Sequence, residues 1–164
     1  MTTQFRALIQ NLSEGGVQFI VVGGVAASAH GSPRVTNDLD IVYRRTAENI
    51  AKLARVFSSL QPYPRGAPDG LPFRWDEKTL RLGLNFTLRT SLGYIDLLGE
   101  ITGGGGYEAL LDHAVEITVH GHRCLCLDLP KLIAVKRAAG RPKDFDAIAD
   151  LEAIREESEK RDGL

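Results

Sequence analysis

The sequence predicts a small mixed β-sheet flanked by helices, in the α/β or α+β class, followed by a C-terminal helix pair. Three observations carry that reading. Apolar residues switch repeatedly between the i, i+3, i+4 spacing of a helix and the alternation of a strand. Two apolar segments, 82–88 and 94–98, flank the turn residues Ser91 to Gly93 and read as a hairpin. The 164 residues, 43% of them hydrophobic, suffice for one core without disulfides as staples, and no segment repeats. One domain is therefore expected over 1–164, its core at about 17–128 and the helix pair at about 129–158.

Phe5, Leu8, Ile9 and Leu12 form a helical stripe, so the spacing predicts a helix over 3–13, stopped at Gly15-Gly16. The run Q-F-I-V-V (18–22) reads as a buried strand, which Gly23-Gly24 turns into an alanine-rich helix over 25–30. D-L-D-I-V-Y (38–43) is a second strand. Thr46 is placed to cap a helix over 47–60 that turns Ile50, Leu53, Phe57 and Leu60 inward. Four prolines and two glycines make 61–72 a loop. Beyond the hairpin, the glycine run 103–106 reads as a flexible hinge or loop. It is followed by a helix near 107–113, strands near 115–118 and 122–127, and helices at 129–139 and 143–158.

Twenty Lys and Arg against twenty-one Asp and Glu leave a formal charge of −1, which argues against sequence-blind coating of nucleic acid. The longest nearly apolar stretch, Phe19 to Ala29, is about half a membrane span and is broken by glycines, so no membrane partner is expected. The start shows no apolar leader, and the two cysteines, Cys124 and Cys126, cannot build a disulfide framework. A cytoplasmic address is expected.

The chemistry concentrates in 19–43. Asp38 and Asp40 are two apart in a strand and project to one face, although Leu39 and Ile41 mark that strand as core. Paired carboxylates repel unless a cation neutralises them, and a hard divalent ion, Mg²⁺ or Mn²⁺, suits oxygen ligands. Asp96 likewise interrupts the apolar strand Y-I-D-L-L. Three such acids on adjacent strands can hold two metal ions about 4 Å apart, the clamp used in phosphoryl transfer. The competing reading is that D-x-D marks a strand end. Gly23 and Gly24 let a phosphate approach the backbone at a helix start, or simply serve a tight turn.

Gly23-Gly24, a thirteen-residue gap and Asp38-x-Asp40 resemble the signature of the DNA polymerase β-like nucleotidyltransferase superfamily. The stretch G-G-V-A-A-S-A-H-G-S-P-R-V-T-N-D-L-D-I is similar, more narrowly, to bacterial proteins near the AbiEii-type toxin nucleotidyltransferases. The segment L-D-L-P-K-L-I-A-V-K-R-A-A-G-R-P-K-D-F-D (127–146) resembles that group's second motif. The resemblance implies a mixed sheet flanked by helices that binds a nucleoside triphosphate and divalent metal. Asp38, Asp40 and Asp96 would then be the catalytic, metal-binding acids, the first two serving both metals. Gly23, Gly24 and Ser28 would form the phosphate-binding turn and helix, with Gly24 where many members carry serine.

Basic residues give separate support. Lys136 continues the apolar stripe of Leu129, Leu132 and Ile133, and a lysine on a buried face requires an anion or an escape to solvent. Arg141, at the junction of the last two helices, can add a bidentate phosphate contact, while Asp144 reads as a helix-start charge. Arg34 and Thr36 precede the D-x-D strand in a loop that should open on the same cleft. His30 with Gly31 reads as a helix C-terminus. The expected activity is transfer of a nucleoside monophosphate from an NTP to a protein or RNA acceptor, within a toxin–antitoxin system. The alternative is a nucleotide-binding antitoxin or regulatory module that acts by binding a cognate partner.

Overall fold

In the computed structural model, which describes residues 1–163, buried hydrophobic side chains from Leu8 to Leu151 form one contiguous core. The chain runs α1 (Phe5–Glu14), β1 (Phe19–Val22), α2 (Gly23–Ala29), β2 (Asp38–Tyr43), α3 (Ala47–Phe57), β3 (Tyr63–Pro64) and α4 (Glu77–Leu82). It continues through β4 (Phe86–Thr90), β5 (Gly93–Leu98), β6 (Glu100–Ile101), β7 (Gly105–Gly106), α5 (Tyr107–Leu111), β8 (Ala114–Val119) and β9 (His122–Leu127). Helix α6 (Leu129–Ala139), a 3₁₀ turn at Pro142–Asp144 and α7 (Phe145–Asp162) close it. The predicted mixed sheet with flanking helices and a C-terminal helix pair is the observed architecture.

Seven strands form the sheet, in the order β3-β4-β5-β2-β1-β9-β8. Strands β2 and β5 are parallel, as are β1 and β9, and every other neighbour is antiparallel. Strand β1 is buried along its whole length, as its unbroken apolar run requires, whereas β2 and β5 alternate. Leu39, Ile41, Ile95 and Leu97 are fully buried on one face of that central pair. The other face carries the acids.

The helices follow their sequence signals. Leu8, Ile9 and Leu12 of α1 are sealed from solvent, each burial worth about 1.5–3 kcal/mol. Thr46 caps α3 by accepting from the Asn49 N–H at 3.2 Å. Asp128 caps α6 by accepting from the Lys131 N–H at 2.8 Å, and Gly140 ends it in the left-handed region at φ +62°. Helix α2 packs on β1 and β2 and reaches α6, which in turn packs on α7. Among the described residues no helix is long and apolar enough to cross a membrane.

Four expectations need correction. The glycine pair does not precede the second helix but forms its first turn. The strand expected over 82–88 begins only at Phe86. Residues 77–82 are helical, capped by Asp76, and both Leu82 and Leu84 are exposed. Their alternation with Phe86 and Leu88 imitates a strand across a helix end. The 61–72 loop contains the short edge strand β3, paired to β4. The run 103–106 is not a free hinge, because Gly105–Gly106 pairs back on β6.

Candidate active site

Register builds the site. In the parallel β2–β5 pair, Asp40 lies opposite Asp96, and Asp38, two residues earlier, lies opposite Tyr94. Strand alternation therefore sets all three carboxylates on one face. Each offers an oxygen, and these oxygens lie within 4.8 Å of one another. The ends of the two strands are pinned by Thr3, which is buried. Its hydroxyl donates to the Asn37 carbonyl and accepts from the Tyr94 N–H at 3.0 Å.

The glycine turn is shaped around these acids. Strand β1 delivers Val22 opposite Asp40, and Gly23 follows at φ +67°. A Cβ at Gly23 would fall inside the Asp40 carboxylate, and one at Gly24 would press on Thr36, 2.8 Å from its Oγ1. Thr36 Oγ1 in turn donates to Asp38 Oδ1 at 3.2 Å. Glycine is therefore needed here for close packing against the acids as well as for backbone conformation.

Electrostatics mark the triad as unfinished. Burial, and then the Asp96 and Asp38 carboxylates, push the Asp40 carboxyl up from its ordinary 3.8 to about 8, against a smaller opposing pull from Arg65. Among the described residues only two buried side-chain polar atoms lack a hydrogen-bond partner, Asp40 Oδ1 and Arg65 Nε, and both are here. A buried acceptor without a donor, in a set made only of carboxylate oxygens, fits a hard divalent cation. Asp38, Asp40 and Asp96 are the residues that would hold it.

Beside Asp40 opens a cleft of about 420 Å³, lined by Gly23, Leu98, Ile101, Val135, Lys136 and Arg141 among others. Lys136 is 19% exposed and reaches the cleft with its ammonium 3.8 Å from Asp144 Oδ1. Asp144 is buried and also takes the Arg141 guanidinium, Nε to Oδ2 at 2.8 Å. The helix-start charge thus anchors the two cations that line the cleft.

The remaining sequence candidates fall at different distances from this centre. Gly24, Arg34, Thr36 and Lys136 border a small cavity adjoining the cleft, while Arg34 itself is tied to Asp150 of α7 at 2.8 Å. Ser28 lines neither space. It faces a separate depression with Val25, Thr118 and Val119. His30 Nε2–H donates to the Leu127 carbonyl at 2.9 Å, a structural tether. Cys124 and Cys126 are free, buried thiols, pushed up by burial to about 11 and about 12.

Sequence reasoning missed Arg65. Its Nη2 donates to Asp96 Oδ1 and to the Leu88 carbonyl, each at 3.0 Å, and its Nη1 lies 3.5 Å from Asp38 Oδ2. No local signal in 61–72 marks it. The only clue was a deficit of nearby positive charge for three acids.

No family model matches this chain, and no curated protein matches it in sequence. Among solved structures it is similar to the lincosamide antibiotic adenylyltransferase LnuA bound to lincomycin, with a TM-score of 0.62 and 15% identity, over 93% of this chain and 98% of that one. It is similar also to the antibiotic-resistance factor ANT(2'')-Ia, with a TM-score of 0.57 and 14% identity, over 97% and 91% of the two chains. A candidate nucleotidyltransferase from Thermotoga maritima matches with a TM-score of 0.50 and 15% identity, over 95% and 91%. At such identities the likeness is one of fold. The mixed sheet and its helices are nucleotidyltransferase-like.

Proposed function

We propose that this chain is a divalent-metal-dependent nucleotidyltransferase that moves a nucleoside monophosphate from an NTP to a hydroxyl of a protein or RNA acceptor. The observation that carries this reading is the triad, three carboxylates from two paired strands with oxygens within 4.8 Å, beside a cleft that holds Gly23, Lys136 and Arg141. In the reaction the acceptor oxygen bonds to the α-phosphorus, the bond from that phosphorus to the β-phosphate oxygen breaks, and pyrophosphate leaves with the electron pair. Mg²⁺ or Mn²⁺, when bound, supplies positive charge that lowers the acceptor's pKa and offsets charge on the leaving group. Lys136 and Arg141 take the phosphate charge in the cleft that Gly23 also lines. Asp96 receives the acceptor hydroxyl's proton as the new bond to phosphorus forms, and Asp40, opposite it, would help hold the metal.

The acceptor class and a toxin–antitoxin setting rest on the sequence resemblance to AbiEii-type enzymes. A second reading, transfer to a small antibiotic, is favoured by one observation: Leu98, Ile101, Leu127, Leu132, Val135 and Ala139 give the cleft an apolar part beside its charged groups. Of the similar structures, LnuA is a lincosamide antibiotic adenylyltransferase bound to lincomycin and ANT(2'')-Ia is an antibiotic-resistance factor. Incubation with α-labelled NTPs, Mn²⁺ and, in turn, lysate protein, RNA or an antibiotic panel separates these. Label on protein or RNA is expected. Label on an antibiotic favours the second reading, and a stable complex without transfer favours a regulatory module. Turnover that survives both Asp38→Ala and Asp40→Ala would overturn the enzyme assignment.

A further inference from the structure

Arg65 belongs to none of the motifs that point to nucleotidyl transfer, yet it is the triad's nearest cation. The proline- and glycine-rich segment brings it there by folding back over the sheet edge. Tyr63 pairs with Arg89, Pro64 pairs with Leu88, and the Arg65 N–H donates to the Thr87 carbonyl at 2.9 Å. The side chain then runs across the acidic face with Cζ 4.8 Å above the Tyr94 ring. Its fork spans Asp96 and Asp38, while Nε stays buried without an acceptor.

A guanidinium and a divalent cation make the same demand on these carboxylates. Asp38 and Asp96 each give Arg65 one oxygen. A cation drawing on the same acids meets a fixed positive charge a few ångströms away, in surroundings less polar than water, or must push it aside. Among the described residues, apart from the Leu88 carbonyl and the Tyr94 ring, the charged fork has only those two acids as partners. The orphaned Nε shows that its own seat is incomplete.

We propose that Arg65 is a built-in counter-cation of the triad, competing with a divalent ion for Asp38 and Asp96 and passing to the triphosphate when nucleotide arrives. The inference rests on the metal-binding reading of the triad. It gives Arg65 a phosphate-binding part in the reaction, and it makes metal and nucleotide bind cooperatively, because each relieves the guanidinium's hold on the acids.

Mn²⁺ binding, followed by electron paramagnetic resonance of the free ion, tests it in wild type, Arg65→Ala and Arg65→Lys, with and without α,β-methylene-ATP. Arg65→Ala is expected to bind Mn²⁺ alone at least about tenfold more tightly than wild type, and Arg65→Lys to stay within about threefold of it. The analogue is expected to tighten Mn²⁺ binding more in wild type than in Arg65→Ala. Mn²⁺ binding no tighter in Arg65→Ala overturns the competition, and equal tightening by the analogue overturns the exchange onto triphosphate. If the alanine variant does not fold, the Arg65 Nε–Hε resonance of wild type decides. It must move when Mg²⁺ and analogue are added, and an unmoved resonance at saturation refutes the proposal. Absence of Mn²⁺ binding by wild type even with analogue is a different result, since it sinks the metal reading itself.

Discussion

Asp40→Asn isolates the electrostatic strain of the triad. The Asp40 carboxyl titrates at about 8 in the fold against an ordinary 3.8, chiefly because it is buried and then because Asp96 and Asp38 repel its charge. Between those two pH values the folded protein holds a proton that the unfolded chain has lost. This group's contribution to stability is therefore full below about pH 4, falls as pH rises, and is gone above about pH 8. From pH 5 to 9 the fall covers about 3 pH units, a ceiling near 4 kcal/mol. Relaxation and partial solvent contact reduce it to about 2 kcal/mol, or about 4–8 °C in Tm for a chain of this size. The amide has nearly the shape of the acid and cannot ionise. With EDTA present, the Tm of Asp40→Asn relative to wild type should rise by about 4–8 °C between pH 5 and pH 9. Adding Mg²⁺ at pH 8 should raise the wild type and leave the variant nearly unmoved. Differential scanning calorimetry across that range measures both effects. A Tm difference that does not change with pH, or that moves the other way, would refute the reasoning.

Two further substitutions test the supports of the site. Gly23→Ala forces a Cβ into the Asp40 carboxylate at a position with φ +67°. It should cost about 1–3 kcal/mol and weaken Mn²⁺ binding as the carboxylate is displaced, read by thermal melting and by Mn²⁺ titration. Asn49→Leu removes a fully buried amide that accepts from the Gln18 N–H at 2.7 Å and donates to the Gln18 and Arg44 carbonyls at 3.0 and 2.8 Å. The Gln18 carbonyl keeps the Arg44 N–H at 3.2 Å, so two backbone groups, the Gln18 N–H and the Arg44 carbonyl, are stranded. That should cost about 2–3 kcal/mol, a fall in Tm of about 4–12 °C, with Mn²⁺ affinity of the folded fraction unchanged.

Legibility followed the reach of the interactions. Strand β2 occupies the residues that D-L-D-I-V-Y predicts, and α6 spans 129–139 as its spacing and Gly140 predict. Each is decided by neighbours within a few positions. The pairing of Asp96 with Asp40 was visible as the same anomaly written twice, an acid inside an apolar strand. Helix α4 was missed because Leu82, Leu84, Phe86 and Leu88 alternate. The Asp76 cap, accepting from Thr79 N–H at 2.8 Å, was the local sign that could have found it. Arg65 was out of reach for another reason. Its place depends on Tyr63–Pro64 adding to the edge of β4, a contact more than twenty residues away in a segment with no periodicity.

The arrangement of charge gives the cleft a direction. On the sheet side, three carboxylates face one guanidinium, so the balance there is negative. On the α6 side, Lys136 and Arg141 share the single carboxylate of Asp144, so the balance is positive. Asp40, Lys136 and Arg141 all line the same cleft, so a ligand in it spans both balances. A ligand that is cationic at one end and anionic along its length satisfies both walls at once, and a metal–triphosphate has that form. A bare cation satisfies only the first wall and a bare triphosphate only the second. The orphaned oxygen of Asp40 is the cost of holding the negative wall ready, set against a core that places Leu39, Ile41, Ile95 and Leu97 fully inside on the opposite face.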